Sequence, residues 1–383
     1  MSQPTLESAE AKAVSTGAKL PETTSRLAGI DGLRGLAALV IVVYHTFCHS
    51  GNPEFRVCGL NILRPFHDGW CGVNLFLVLS GLCLYWPYAS RPQIKIVFPT
   101  FMKKRALRIL PAYYAALIVV PLAMIAMKGI GVKIDYTPKS VSDFSLHLLM
   151  LHSLTAESYR GWYQLTWSLG LEWLWYLVFP LAVVLFRKLK AYQALLLCGC
   201  LTLIYRSIYW SMVDLSNLNE EQGFVLDNAL PGRLFEFAAG MFVADFLARG
   251  TLPKKLITPL CLAVPTLLVI SRACESVRCF VPVRHWLYCS AFAILALLVA
   301  SKHKNIYASF MRNSWFEHVG EYSYSLYLFH LPLIVLVCAG LTLAGITGPT
   351  CFCISLFSIP LVMLTAKICY ELFEKPFLPK RNS

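Results

Sequence analysis

The residues best suited to chemistry lie in "DGLRGLAALVIVVYH", residues 31 to 45, where Asp31 and Arg34 stand at one end of an apolar run and His45 at the other. At about 100° per residue, the eleven steps from Arg34 to His45 amount to three turns and roughly 20° more, so a helix here carries both groups on one face. Asp31 falls within about 60° of either, close enough to hold Arg34 in place. Gly35, Ala37 and Ala38 keep the surface beside Arg34 low, so that a neighbouring helix or a ligand can approach closely. Ionisable groups in a run bound for lipid are costly unless they are compensated or used.

A second basic group lies in "FMKKRALRILPAYY", residues 101 to 114, with Lys103, Lys104, Arg105 and Arg108. Arg105 and Arg108 are three apart, hence neighbours on a helix, and two guanidinium forks side by side suit a phosphate or pyrophosphate. A stop-transfer cluster resting on lipid headgroups is the other reading of these charges. If Arg34 lies at the same membrane surface, three guanidinium groups can converge on one polyanion. At about 1.5 Å per residue His45 is roughly 16 Å deeper than Arg34, which is comparable with an extended pantetheine arm, so a thioester could be delivered to it. Alternatively, His45 only bonds one helix to another.

Other polar groups interrupt other apolar runs. Glu172 stands among Trp, Leu and Tyr in "WSLGLEWLWYLVFP", 167 to 180, and needs a partner there. Ser323, Tyr327 and His330 form a stripe at spacings of four and three in "GEYSYSLYLFHLP", 320 to 332, a pattern that also serves as glue between helices. Arg233 and Glu236 in "PGRLFEFAAG" are spaced for a salt bridge at a helix start.

The elements that must position these groups are membrane helices. The chain of 383 residues is 57% hydrophobic and only 14% charged, which excludes a set of ordinary soluble domains and implies an all-α polytopic membrane protein. Apolar runs near 33–49, 70–87, 107–127, 165–186, 192–212, 232–248, 256–271, 285–301, 320–345 and 350–372 predict ten spans in one bundle. "FSLHLLMLHSL", 144 to 154, is short and carries two histidines, so it is expected to be interfacial or re-entrant.

With both termini cytoplasmic, inner segments hold 23 Lys and Arg and outer ones nine, the expected bias. The net charge of +13 therefore reports topology and implies no nucleic acid. Residues 1–25 are polar and predict a disordered cytoplasmic tail, 26–378 the membrane domain, and 379–383 a short C-terminal tail. The fourteen cysteines contain no CxxC pair, and no metal site is expected, while Cys274 and Cys279 could pair in an oxidising compartment.

Taken in order, "RLAGIDGLRGLAALVIVVYH", "GVNLFLVLSGLCLYW", "FMKKRALRILPAYY", "TWSLGLEWLWYLVFPL", "RLFEFAAGMFVADFL", "VGEYSYSLYLFHLP" and "ELFEKPF" resemble the successive blocks of the integral-membrane acyltransferase family 3 over residues 26 to 378. That family O-acetylates bacterial surface sugars and related acceptors. The resemblance implies transfer of an acyl group, acetyl above all, from cytoplasmic acyl-CoA to a hydroxyl of a surface polysaccharide, lipopolysaccharide or exopolysaccharide. It implies no tightly bound cofactor, and a plasma-membrane location if the host is bacterial.

Carried over by block, the implied catalytic residues are His45, Glu172 and His330, and the implied acyl-CoA ligands are Arg34, Arg105 and Arg108. Asp31, Ser168, Tyr324 and Tyr327 support them. Glu172 or His330 is expected to orient His45 or bind the acceptor. The sequence departs from the family pattern at Asn74, where an acid is common, and at Trp173, which replaces a second carboxylate. The resemblance leads to no expectation of the esterase-like domain that some relatives append, and hand-off to a lumenal or periplasmic acyl-accepting protein is then expected to need a separate chain. Two other readings stay open: acylation of a small-molecule glycoside such as a macrolide, and transport of a lipid-linked or anionic solute.

Overall fold

The computed structural model describes residues 27–132, 140–215, 220–274 and 280–378. The two expected tails, and Cys279 of the expected pair, lie outside them; Cys274 has a free thiol. Among the described residues, eight helical segments are long and apolar enough to cross a membrane, and a bent pair makes a ninth. The first five are α1 (Ile30–His49), α2 (Gly72–Ser90), α3 (Phe98–Gly129), α5 (Trp167–Lys188) and α6 (Ala191–Leu215), with the short α4 (Val141–Leu148) between α3 and α5. After α7 (Glu220–Asn228) and α8 (Leu234–Arg249) come α9 (Ile257–Cys274) and α10 (Val281–Ala300). Two short helices, α11 (Ile306–Met311) and α12 (Ser314–Glu321), lead into α13 (Ser323–Leu343), and α14 (Gly348–Leu356) with α15 (Ile359–Cys369) forms the bent pair. A two-residue antiparallel ladder, Arg56–Val57 with Leu60–Asn61, decorates the connection from α1 to α2.

All ten expected runs are thus helical, with two differences. The sixth, α8, has 16 residues, about 24 Å of helix against a hydrocarbon core of about 30 Å. It can be short because protein surrounds it: every residue from Phe235 to Met241 is buried. Its closest neighbour is α2. A Cβ at Gly240 would stand 1.9 Å from the Val78 carbonyl oxygen, and one at Gly81 2.1 Å from that of Phe237, so only glycine permits this backbone contact. The tenth run is bent by 48° between Leu356 and Ile359. Pro360 lies in the first turn of α15, where its missing N–H and its ring prevent a straight continuation.

The low face of α1 is used for helix packing, since a Cβ at Gly35 would meet the Phe316 carbonyl oxygen of α12 at 2.7 Å. The 144–154 run does not cross. It forms the end of α4 and a 3-10 turn, His152–Leu154, folded under α3 and α5. Tyr113 of α3 donates to the His147 carbonyl at 3.0 Å, and Trp162 donates to that of Leu117 at 2.8 Å. The imidazoles of His147 and His152 stack at 4.1 Å, both fully buried. Burial, with His147 adding to it, pushes His152 down to about 3.

Candidate active site

Helices α1, α2, α3, α5 and α13 line a cavity whose wall includes Arg34, Arg105 and Arg108. The three guanidinium groups expected to converge from α1 and α3 do so. Among the described residues, none of them donates a hydrogen bond to protein, and the buried Nε of Arg105 has no partner. Arg105 lies 5.5 Å from the Phe101 ring centre and 5.9 Å from that of Tyr176, contacts that hold it without consuming its donors. Asp31 sits in the first turn of α1 but makes no ion pair with Arg34, so the expected bridge is not formed and the carboxylate acts on that arginine through space. Buried Glu374, whose Oε2 accepts from Ser325 at 2.7 Å, acts on Arg34 and Arg108 in the same way. The wall thus carries three guanidinium groups that donate no hydrogen bond among the described residues, beside the carboxylate of Glu172.

Glu172 belongs to this cavity and not to the surroundings of His45. Its Oε1 accepts from Ser80 at 2.6 Å and from Tyr176 at 2.7 Å, which supplies the partners that the sequence required. Tyr324, also in the wall, donates to the Ile109 carbonyl at 3.0 Å and so ties α13 to the arginine-bearing turn of α3. Ser168 and Tyr327 share a hydrogen bond of 2.7 Å, and the Tyr327 hydroxyl also donates to the Leu165 carbonyl at 2.7 Å.

His45 opens into a second cavity. Its ring lies 5.2 Å from that of His330, as the two expected histidines of α1 and α13 require. His330 donates from Nδ1 to the Leu326 carbonyl at 3.0 Å, which fixes the tautomer and leaves a bare lone pair on a buried Nε2 that has no partner. Val73 and Tyr327 line both cavities, so the cavity of the three arginines and that of His45 meet at a shared wall of two side chains.

Beside the histidine cavity lies a buried polar network of which the sequence showed only one pair. Arg233 donates to Glu236 at 3.1 Å, as its spacing predicts, and also to Asn74 and His285, each at 2.9 Å, and to Asn228. His285 thus accepts at Nδ1, which places its proton on Nε2, 3.5 Å from Asp227 Oδ2. Arg206 holds the same carboxyl group at 2.9 Å. Burial would push Asp227 up, but Arg206 and His285 outweigh it and hold the group well below the usual carboxylate range. Asn74 is therefore a hinge of the network, accepting from Arg233 and donating to His285 at 3.2 Å, roles that a carboxylate could not both fill. Trp173 packs edge-on to Tyr176 with its ring 6.2 Å away.

Sequence reasoning missed Ser80, Tyr176, Val73, His285 and the loop residues of the histidine cavity. Arg206 and Asp227, charges flanking an apolar run, were the available signal for the network. Among the described residues there is no cluster of three or more His, Cys, Asp or Glu able to hold a metal ion.

The family whose model matches is described as "Acyltransferase domain", over residues 27–367. The chain is 25% identical over 388 residues to O-acetyltransferase OatA of Staphylococcus aureus, covering 93% of this chain and 60% of that protein. It is 24% identical to acyltransferase MdmB of Streptomyces mycarofaciens, covering 82% and 81% of the two. It is 25% identical to a protein of Komagataeibacter xylinus named membrane-bound transacylase BcsY, covering 94% and 84%. The chain thus spans about three fifths of the length of OatA. No solved structure matches it significantly. With the family model covering most of its length, the chain belongs to the integral-membrane acyltransferase family 3.

Proposed function

We propose that the protein transfers an acyl group, acetyl in the simplest case, from acyl-CoA to a hydroxyl of a carbohydrate. The observation that carries this reading is the pair of cavities that share Val73 and Tyr327, one with Arg34, Arg105 and Arg108 in its wall and the other with His45, whose ring stands 5.2 Å from that of His330. The phosphates of the donor rest on Arg34, Arg105 and Arg108, and the pantetheine follows α1 for about 16 Å toward His45. The acceptor enters the histidine cavity. His45 takes the proton of its hydroxyl as the oxygen attacks the thioester carbonyl; the C–O bond forms, the C–S bond breaks, and the CoA thiolate leaves and is protonated. His330 orients His45 through its bare Nε2, and Glu172, with Ser80 and Tyr176, shapes the path of the donor. An ordinary general-base contribution is about 10²–10⁴-fold in rate.

In this reading the arginine cavity faces the cytoplasm, where acyl-CoA is made, and both termini lie on that side, in keeping with the distribution of Lys and Arg. The host membrane is the plasma membrane of a bacterium, and the acceptor is a cell-surface or secreted polysaccharide, with a separate acyl-accepting protein where transfer must continue outside. The test is release of free thiol from acetyl-CoA by the purified protein in the presence of a membrane glycan extract, with the acetyl group followed onto the glycan by mass spectrometry. Thiol release that depends on extract supports the reading. Absence of release with every extract and acyl-CoA tried overturns it.

A further inference from the structure

Three rungs on one face of α5 run along the arginine cavity. Ser168, Glu172 and Tyr176 are four residues apart, so they stand one above another at steps of about 6 Å. Ser168 shares its hydrogen bond with Tyr327 at the wall common to both cavities, while the Arg105 guanidinium lies 5.9 Å from the Tyr176 ring centre. Glu172 is the middle rung, between the arginines and that wall. From α2 it is met by Ser80, seven residues and hence about 10 Å along its helix from Val73 of the same wall.

The Glu172 carboxylate is used on one side only. Its Oε1 accepts from both Ser80 and Tyr176. Among the described residues its Oε2 accepts no hydrogen bond and belongs to no ion pair, yet it is not sealed in protein, so it opens on the cavity. Glu172 is also the one carboxylate among the described residues that line this cavity, and side chains such as Phe76 and Leu169 give much of the remaining wall an apolar character. An N–H group that leaves water at this level needs an acceptor, and a carboxylate oxygen is a strong one.

The arm of acyl-CoA brings two such groups. Counted from the thioester sulfur, its amide nitrogens are three and seven bonds away, about 4 Å and about 9 Å in an extended chain at roughly 1.2 Å of reach per bond. With the thioester at the shared wall, the farther N–H falls at the level of Glu172, about 6–10 Å from that wall. We propose that Glu172 Oε2 accepts a hydrogen bond from this farther amide N–H of the pantetheine arm, and so sets the depth at which the thioester stops. The inference rests on the arginine cavity being the donor site, and it makes Glu172 a donor-binding residue with a defined atom as its partner.

The experiment uses the full-length protein in detergent with acetyl-CoA and an isosteric acetyl-CoA in which that one amide is an ester, so that oxygen replaces the N–H. Turnover is read by thiol release in the presence of membrane glycan extract, and binding of CoA and its ester counterpart by thermal shift. The unaltered protein should prefer the amide roughly 10- to 150-fold in kcat/KM and in affinity. Glu172→Gln keeps an oxygen for Ser80 and Tyr176 and places an NH2 where Oε2 stood, which suits the ester oxygen and not the N–H. The preference should therefore collapse to within about threefold or reverse, with Tm nearly unchanged. If Glu172 only props the helices or balances the arginines, Glu172→Gln weakens both donors alike and any preference survives. That result, or equal use of amide and ester by the unaltered protein, overturns the inference, while thiol release from acetyl-CoA leaves the acyl-transfer reading in place. Amide-selective binding that is lost in Glu172→Gln, without thiol release, would do the reverse.

Discussion

A split between binding and turnover follows from the distance between the two ends of α1. Replacing Arg34 by Gln removes one of three guanidinium groups from the arginine cavity while leaving an uncharged polar side chain. A hydrogen bond to a charged group contributes about 1.5–3 kcal/mol, so the KM for acyl-CoA should rise by roughly 10- to 150-fold. The value of kcat at saturation should stay within about twofold, because an interaction made equally in the ground and transition states does not alter the chemical step. His45→Ala should do the opposite and lower kcat by about 10²–10⁴-fold with little change in the KM for acyl-CoA. The two sites are roughly 16 Å apart and share no hydrogen-bond partner, so the effects on kcat/KM should multiply to within about 0.5 kcal/mol in the double variant.

The assay is thiol release against acyl-CoA concentration, accompanied by direct CoA binding, because KM equals Kd only when chemistry is slow. Suppose Arg34→Gln lowers kcat and leaves CoA binding untouched, or His45→Ala weakens CoA binding as much as Arg34→Gln does. Then the charged end of the donor does not lie in the arginine cavity, and the assignment of the two cavities fails.

Four further outcomes are expected. Val73→Phe, in the wall common to both cavities, should leave CoA binding intact and lower transfer at least tenfold, and unchanged transfer would mean the acyl group takes another path. Gly240→Ala puts a Cβ 1.9 Å from the Val78 carbonyl and should cost about 1–3 kcal/mol or more, visible as a lower Tm in detergent. Arg233→Met strands the buried Glu236 and should cost about 3–5 kcal/mol, whereas the Arg233→Met, Glu236→Leu double variant should recover much of the stability. His152 binds its proton at about 3 when folded and near 6.5 when unfolded; the unfolded chain therefore takes up the proton first, and stability falls as pH drops from 6.5 toward 3. Between pH 6.5 and 5 this amounts to about 2 kcal/mol, which His152→Asn should remove from a Tm-against-pH profile.

The positions of the helices were legible in the sequence because lipid demands long apolar runs, and all ten are helical. What hydropathy cannot express is whether a run meets lipid or protein. Residues 234–249 look like a span in composition, yet form a helix too short to cross alone, made possible by glycine contacts at 81 and 240 that only the packed structure displays. The break at residues 357–358 was signalled by Pro360, but nothing local fixed its angle. In the site, Arg34, Arg105 and Arg108 were readable because helical spacing and the shared membrane surface bring them together. The surroundings of Glu172 were not, since Ser80 is 92 residues away and no periodicity connects α2 to α5. The loop around Arg160, Gln164 and Trp167 has no repeat at all, and its place over His45 depends on anchors such as Tyr163, which donates to the Leu328 carbonyl at 2.7 Å.

The wall formed by Tyr327 bears on the membrane as well as on the reaction. A protein hollowed from two ends risks becoming a leak, and a leak for protons or ions would dissipate the gradients on which a cell lives. Here the phenol is pinned at its oxygen by Ser168 and by the Leu165 carbonyl, each at 2.7 Å, and flanked by Val73, so it cannot swing aside without losing both bonds. Direct attack needs the thioester and the acceptor hydroxyl in contact, so this partition has to yield when both reactants are seated and to close again when they leave.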